Sequence, residues 1–138
     1  MADRVLNILL VEDDEVDVMN VRRAFERNNV SNPLYVAGNG LEALEMLRDG
    51  TVPTERRLIL LDLNMPKMNG IEFLEELRAD PELSSTPVVV LTTSNDDQDK
   101  IDAYNLNVAG YLLKPVTFSN FCERMTTLNK YWMLVEMP

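Results

Sequence analysis

The segment from Leu58 to Gly70 constrains the fold of this chain more than any other segment. Its sequence, LILLDLNMPKMNG, begins with four apolar residues, reaches Asp62 and ends in turn-forming residues. A short apolar run closed by a turn is typical of a strand that is buried on both faces of a parallel sheet. Asp62 would then stand at the carboxyl end of that strand, where open α/β sheets bind their ligands. By itself, such a carboxylate can be a phosphoryl acceptor, a metal ligand or a helix cap.

The rest of the chain alternates between short apolar runs and stretches with helical periodicity. Strands are predicted at 5–11, 34–37, 58–61, 88–91 and 110–113, and helices at 15–28, around 41–47, from the cap Asn69 to before Pro81, at 96–105 and from 118 towards 132. The fourth helix has few apolar residues and is expected to be the least firmly packed. Strands that alternate with helices predict an α/β fold, with a doubly wound five-stranded parallel sheet and five helices.

Composition narrows the classes of function. The 138 residues fit one domain, and the formal net charge of −10 argues against nucleic-acid backbones and anionic membranes as partners. The chain contains no histidine and one cysteine, Cys122, which excludes Ser-His and Cys-His nucleophile pairs and an internal disulfide. There is no signal peptide and no apolar stretch of roughly 18 residues, so a cytoplasmic protein is expected.

The predicted strands end in polar residues that suit one common site. Glu12 and Asp13 follow the first strand, Asp62 the third, Thr92 the fourth and Lys114 the fifth. Because the carboxyl ends of parallel strands share one edge of the sheet, these side chains are expected to converge. Clustered carboxylates repel one another unless a cation lies among them, and oxygen ligands without histidine or cysteine favour Mg²⁺. One carboxylate could then attack phosphorus, while the lysine and the threonine hold phosphoryl oxygens.

With these residues the chain resembles the receiver domain of bacterial two-component response regulators. The resemblance rests on VEDD at 11–14, LLDLNMPKMNG at 60–70, LTTS at 91–94 and YLLKP at 111–115, and it spans nearly the whole chain. It implies a flavodoxin-like fold with strand order 2-1-3-4-5. It also implies one receiver domain over 1–138 without an output domain, which accepts a phosphoryl group from a histidine kinase and is not a conventional enzyme.

The resemblance assigns the metal site to four residues. Asp62 is the phosphoryl acceptor, and Asp13 and Asp62 bind Mg²⁺ directly. The backbone carbonyl of Asn64 adds a ligand, and Glu12 acts through water. The neighbouring Asp14 is expected to be the N-cap of the first helix rather than a further ligand.

The resemblance also implies a switch. Thr92 and Lys114 contact the phosphoryl group, and Tyr111 turns inward when Thr92 moves. The surface of the fourth helix, fifth strand and fifth helix then changes. On the residues alone, Tyr111 is equally compatible with a static, half-buried aromatic side chain.

Three features depart from the family pattern. Glu12 replaces an aspartate, which its longer side chain tolerates if the metal contact runs through water. Thr93 is bulkier than the small residue usual after the switch threonine, which predicts hindered access of the hydrolytic water and a long-lived phosphoryl group. The polar loop at 51–57 is longer than usual and has no assigned role.

The C-terminal segment of the chain is apolar. Residues 131–138 carry one charge, Glu136, and either fold back on the domain or form a dimer or partner surface near Ile101, Tyr104 and Tyr111. This segment resembles stand-alone regulators that pair with phytochrome-type histidine kinases, so a homodimer and such a kinase are expected.

Two rival functions are considered. One rival is a receiver-like adaptor that needs no phosphorylation. The other is a Mg²⁺-dependent phosphohydrolase of the haloacid-dehalogenase type, but Asn64 stands where that family places its second aspartate.

Overall fold

The computed structural model describes residues 6–27, 32–65, 68–114 and 123 of the chain. Strands and helices alternate along these residues, as predicted. The strands are β1 (Asn7–Val11), β2 (Leu34–Ala37), β3 (Arg57–Leu61), β4 (Val88–Thr92) and β5 (Gly110–Leu113), and the helices are α1 (Glu15–Arg27), α2 (Gly40–Arg48), α3 (Gly70–Ala79) and α4 (Asp97–Asn105). The predicted fifth helix and the apolar segment at 131–138 lie outside the described residues.

The five strands form one parallel sheet in the order β2-β1-β3-β4-β5, which confirms the expected topology. Every residue of β3 and β4 is buried, as expected for strands covered on both faces. Side chains of these strands alternate between two cores. Leu9, Val11, Ile59, Leu61, Val88 and Val90 pack with residues of α2 and α3 on one face, and Ile8, Leu10, Leu58, Leu60, Val89 and Leu91 pack with residues of α1 on the other. Each fully buried leucine or isoleucine contributes roughly 1.5–3 kcal/mol relative to an exposed one.

Polar caps determine where the helices begin. Asn69 and Glu72 form a capping box at the start of α3, which confirms the predicted cap. The carboxylate of Asp14 accepts the backbone N–H of Val16 at 2.8 Å, so Asp14 caps α1, as predicted. Only Ala103 of α4 is buried, so α4 is the most weakly packed helix in the described part of the chain.

The loop at 51–57 is more tightly held than its polar sequence predicts. Val52 is buried in the core, and Arg57 is the buried first residue of β3 rather than part of the loop. The Arg57 guanidinium donates hydrogen bonds of 2.8 Å to the carbonyls of Leu47, Val52 and Pro53. Arg57 therefore ties the loop to the end of α2. Sequence patterning missed this role because an arginine satisfied by carbonyls resembles a surface arginine in the sequence.

None of the helices in the described ranges is long and apolar enough to span a membrane.

Candidate functional site

The strand ends meet at one edge of the sheet. Val11 pairs with Leu61, and the Asp62 amide donates to the Val11 carbonyl at 3.0 Å, so β1 and β3 end side by side. Beyond β3, the Lys114 amide donates to the Thr92 carbonyl at 2.7 Å, so β4 and β5 also end together. The predicted convergence of residues from distant parts of the sequence is therefore present.

Three carboxylates form the centre of the site. Glu12, Asp13 and Asp62 each offer one oxygen, and these oxygens lie within 4.8 Å of one another. Glu12 and Asp62 are buried, whereas Asp13 is exposed to solvent at the mouth of the cluster. A group of oxygen donors without nitrogen or sulfur ligands suits a hard divalent cation. These residues could therefore hold a metal ion.

The pKa of Glu12 is raised mainly by its burial. Burial removes solvent from its carboxylate and raises its pKa from 4.5 to about 7; the hydrogen bond from Lys114 opposes this rise and the charge of Asp62 adds to it. A buried acid that resists ionisation beside two other carboxylates is in an environment that a cation would relieve. The electrostatics and the ligand set therefore point to the same occupant.

Lys114 brings a positive charge to the three carboxylates. Its ammonium donates hydrogen bonds to Glu12 and to Asp17, the latter at 2.8 Å, and lies 3.8 Å from an Asp62 oxygen. Burial by itself lowers the pKa of Lys114, but the hydrogen bonds to Asp17 and Glu12 and the nearby charges outweigh it and raise the pKa. Lys114 is therefore a firmly charged ammonium next to Asp62.

Thr92 and Tyr111 are both linked to Ser94. The fully buried Thr92 accepts a hydrogen bond on its hydroxyl oxygen from the Ser94 amide at 3.3 Å. The half-buried Tyr111 donates its hydroxyl to the Ser94 carbonyl at 2.9 Å, and its ring stacks on Tyr104 with centroids 6.5 Å apart. The Ser94 hydroxyl donates to Asp99 of α4 at 2.6 Å. Ser94 therefore connects both predicted switch residues to the start of α4.

The segment after Asp62 is fixed around that carboxylate. The Asn64 amide donates to one Asp62 oxygen at 3.2 Å, and the Asn64 side chain donates to the Thr93 hydroxyl at 3.4 Å. Both Asn64 and Thr93 are exposed above the site. Thr93 therefore stands on the solvent side, where the departure from the family pattern predicts it to matter.

Gly70 permits α3 to begin directly against the end of β3. A Cβ atom added at Gly70 would lie 2.6 Å from the Leu63 Cα and 2.7 Å from the Asp62 carbonyl oxygen. Contacts this short involve backbone atoms, which cannot move aside as a flexible side chain can. Glycine at this position therefore helps to set the backbone that carries Asp62.

Two residues of the site were not predicted from the sequence. Asp17 contacts Lys114 across a separation of 97 residues, and Ser94 links Thr92 to Tyr111. The helical position of Asp17, one turn after the strand-end acids, was the available signal for Asp17. No pattern in the sequence marks a backbone carbonyl such as that of Ser94 as a hydrogen-bond partner.

Curated proteins resemble this chain over most of its length. It is 38% identical over 128 residues to the probable methanogenesis regulatory protein FilR2 of Methanothrix harundinacea, which covers 91% of this chain and 83% of that protein. It is 36% identical over 129 residues to the response regulator Rcp1 of Synechocystis sp., covering 91% of this chain and 88% of Rcp1.

Solved structures of response regulators also resemble this chain over most of its length. The phosphorylated cyanobacterial phytochrome response regulator RcpA aligns with a TM-score of 0.81 and 34% identity, covering 97% of this chain and 99% of that chain. The Mn²⁺-bound form of Rcp1 aligns with a TM-score of 0.78 and 36% identity, covering 96% of this chain and 99% of that chain.

The family match covers nearly all of the chain and includes the strand ends described above. Residues 8–126 match the family described as the response regulator receiver domain. The fold, the curated relatives and the solved structures agree with this match. The chain belongs to the response regulator receiver domain family.

Proposed function

We propose that this chain is a phosphoacceptor signalling protein, which takes a phosphoryl group onto Asp62 from a phosphohistidine of a sensor histidine kinase. The observation that carries the proposal is the convergence of an ammonium and an acidic cluster on one buried carboxylate. The Lys114 nitrogen lies 3.8 Å from Asp62, and the oxygens of Glu12 and Asp13 lie within 4.8 Å of it and of each other.

The metal in this proposal is Mg²⁺. Asp13 and Asp62 would bind it directly, the backbone carbonyl of Asn64 would add a ligand, and Glu12 would act through water. When bound, Mg²⁺ neutralises negative charge on the transferring phosphoryl oxygens. The binding of Mn²⁺ by the relative Rcp1 supports a divalent cation at the corresponding cluster.

In the transfer step, an Asp62 oxygen attacks phosphorus as the P–N bond of the phosphohistidine breaks. The new O–P bond makes an acyl phosphate, and the imidazole leaves with the electron pair of the broken bond. Lys114 holds one phosphoryl oxygen as a point charge, and the Thr92 hydroxyl donates a hydrogen bond to another. Thr92 accepts from Ser94 but keeps its own proton, so its hydroxyl can donate to a phosphoryl oxygen.

The signal would leave the site through Ser94. Thr92 and Tyr111 are both hydrogen-bonded to the backbone of Ser94. Movement of Thr92 towards the phosphoryl group would therefore displace Ser94 and weaken its hydrogen bond with Tyr111. Ser94 also donates to Asp99, so the start of α4 would follow. A change from mostly inactive to mostly active requires about 5.5 kcal/mol of differential stabilisation.

Intact mass measurement tests the proposal directly. After incubation with Mg²⁺ and a small phosphodonor, the protein is expected to gain the mass of one phosphoryl group. The Asp62→Asn variant, which keeps the shape of the side chain, should gain none. Equal labelling of both proteins would exclude Asp62 as the acceptor, and labelling of neither would favour the adaptor function.

The phosphohydrolase alternative has a weaker basis. Its general acid would stand at Asn64, whose amide cannot donate a proton in that role and is hydrogen-bonded to Thr93. Multiple turnover of a model phosphate ester would nevertheless establish it over the phosphoacceptor function.

The partner we propose is a phytochrome-type histidine kinase in the cytoplasm. The similarity to RcpA, a phytochrome response regulator, supports this choice. A matched assay would compare phosphotransfer from such a kinase with transfer from a kinase of another sensor class. Faster transfer from the unrelated kinase would contradict the pairing.

We also propose a homodimer. Its basis is the exposure of Ile101, Tyr104 and Leu113, which are 52%, 52% and 38% accessible on α4 and β5. Sedimentation of the protein truncated after Lys130 would show whether the apolar segment beyond it forms the interface. An unchanged oligomer would exclude that segment.

Thr93 is proposed to lengthen the life of the phosphoryl group. It stands exposed beside Asn64, on the solvent side of Asp62. The Thr93→Ala variant is expected to lose its phosphoryl group faster than the unchanged protein, while Thr93→Val, which keeps the bulk, should decay at nearly the original rate. Equal decay of all three proteins would exclude a steric role.

A further inference from the structure

Lys114 is held by an acid that does not come from a strand end. Asp17 is the third residue of α1, and its carboxylate accepts a hydrogen bond from the Lys114 ammonium at 2.8 Å. Its side chain is 34% exposed, whereas that of Lys114 is 11% exposed. The contact therefore joins the rim of the site to the ammonium that lies 3.8 Å from the Asp62 carboxylate.

The geometry of the ammonium shows what this contact can do. A lysine ammonium has three N–H donors. In the described part of the chain, Glu12 and Asp17 accept two of them, and Asp62 lies 3.8 Å away, too far for a hydrogen bond. The third N–H thus has no acceptor within hydrogen-bond distance among the described residues, and the Asp62 carboxylate lies nearby. A phosphoryl group on Asp62 would place further oxygens beyond the carboxylate, where this N–H could donate to one of them.

The position of Asp17 is itself fixed by the start of α1. The Asp14 side chain caps the helix and accepts the backbone N–H groups of Val16 at 2.8 Å and of Asp17 at 3.4 Å. Asp14 follows Asp13 directly, so the helix start and the acidic cluster share one short piece of backbone. The cap therefore holds the backbone that carries Asp17 next to the acidic cluster.

We propose that Asp17 is a positioning residue for phosphoryl transfer: together with Glu12, it fixes the Lys114 ammonium so that its remaining N–H faces a phosphoryl oxygen on Asp62. This inference rests on the proposed function and deepens it. In this proposal Asp17 would contact Lys114 and neither the phosphoryl group nor the metal. Its effect is to remove rotational freedom from Lys114 before the reaction, which lowers the entropy loss in the transition state.

A double-mutant cycle tests whether Asp17 acts through Lys114. The initial rate of phosphorylation by a small phosphodonor at saturating Mg²⁺ is measured for Asp17→Asn, for Lys114→Met and for the double variant. Asp17→Asn is expected to be slower by roughly tenfold, because a displaced group contributes less to the transition state. In the Lys114→Met background, Asp17→Asn should change the rate by less than about twofold.

Four controls separate positioning of Lys114 from effects of charge, folding and metal binding. Glu15→Gln removes the same charge from the same turn of α1 at an exposed position, and its rate should stay within about twofold of the unchanged protein. Asp17→Glu returns a carboxylate to the rim and should recover part of the lost rate. Unfolding of each variant in urea verifies that folded proteins are compared, and Mg²⁺ affinity measured without phosphodonor should be the same for Asp17→Asn and Glu15→Gln.

The outcomes distinguish this inference from the proposed function. If the unchanged protein gains no phosphoryl group at Asp62, the proposed function fails. If it does and Asp17→Asn behaves like Glu15→Gln, only the positioning role is overturned. The positioning role would also be overturned if Asp17→Asn slowed phosphorylation equally in the unchanged protein and in the Lys114→Met variant. The same holds if Asp17→Glu were phosphorylated no faster than Asp17→Asn.

Discussion

The acidic cluster should make the stability of the metal-free protein depend on pH in an unusual direction. Burial raises the pKa of Glu12 from 4.5 to about 7, so the folded protein holds this proton more tightly than the unfolded chain does. Stability from this group is therefore fully present below about pH 4.5 and is lost as pH rises towards about 7. An ordinary paired carboxylate has the opposite sign, because its pKa is lowered on folding.

The size of the effect follows from the same pKa. At about 1.4 kcal/mol per pH unit, the difference between 4.5 and about 7 corresponds to about 3 kcal/mol. Of this, about 2 kcal/mol should be lost between about pH 5.5 and about pH 7.5. The chain contains no histidine, so no imidazole titrates in that interval and obscures the change.

Urea unfolding in the presence of a chelator measures this change. The free energy of unfolding is compared between the unchanged protein and Glu12→Gln, whose amide does not titrate. Between about pH 5.5 and about pH 7.5, the free energy of unfolding of the unchanged protein should fall by about 2 kcal/mol relative to that of Glu12→Gln. Added Mg²⁺ should stabilise the unchanged protein more at about pH 7.5 than at about pH 5.5, because a cation favours the ionised carboxylate. Parallel pH profiles for the two proteins would refute the assignment of the titration to Glu12.

Three further substitutions test other parts of the fold. Gly70→Ala should lower the free energy of unfolding by about 3 kcal/mol and weaken Mg²⁺ binding measured by calorimetry, because its Cβ would meet backbone atoms at 2.6 and 2.7 Å. Gly110→Ala is the matched control, since its Cβ would find its nearest neighbour at 3.9 Å; equal losses would contradict the steric argument. Arg78→Met should cost about 3 kcal/mol in urea unfolding because its guanidinium donates to four backbone carbonyls, whereas Arg48→Met, which breaks a surface ion pair, should cost less than about 1 kcal/mol. Tyr111→Phe should lower the free energy of unfolding by about 1 kcal/mol through loss of one hydrogen bond to a loop carbonyl, and an unchanged value would show that this bond is not stabilising.

The sequence predicted the sheet and its helices well because their signals are local. A buried strand needs a short apolar run, and the runs of β1, β3, β4 and β5 each stop at a polar residue at one edge of the sheet. Caps are equally local, so Asn69 and Asp14 were recognisable from their distance to the helices that they begin. The error at Arg57 shows the limit of such signals, because its burial depends on three carbonyls that the fold brings around it.

The candidate site also has a part that the sequence predicts and a part that it does not. The identity of its strand-end groups, Glu12, Asp13, Asp62, Thr92 and Lys114, was available from the sequence, because parallel strands must end on one edge. The hydrogen-bond partners of these groups, Asp17 and Ser94, were not predicted from the sequence.

By itself, the sequence determined which chemical groups reach the edge of the sheet, since that depends only on where each apolar run stops. Tertiary structure alone decided how those groups are held. Asp17 meets Lys114 across 97 residues, and Gly70 lets α3 approach the carbonyl of Asp62. The first contact joins segments that are far apart in the chain, and the second depends on differences of a few tenths of an ångström in the space beside Gly70. Residue patterning carries no information on either.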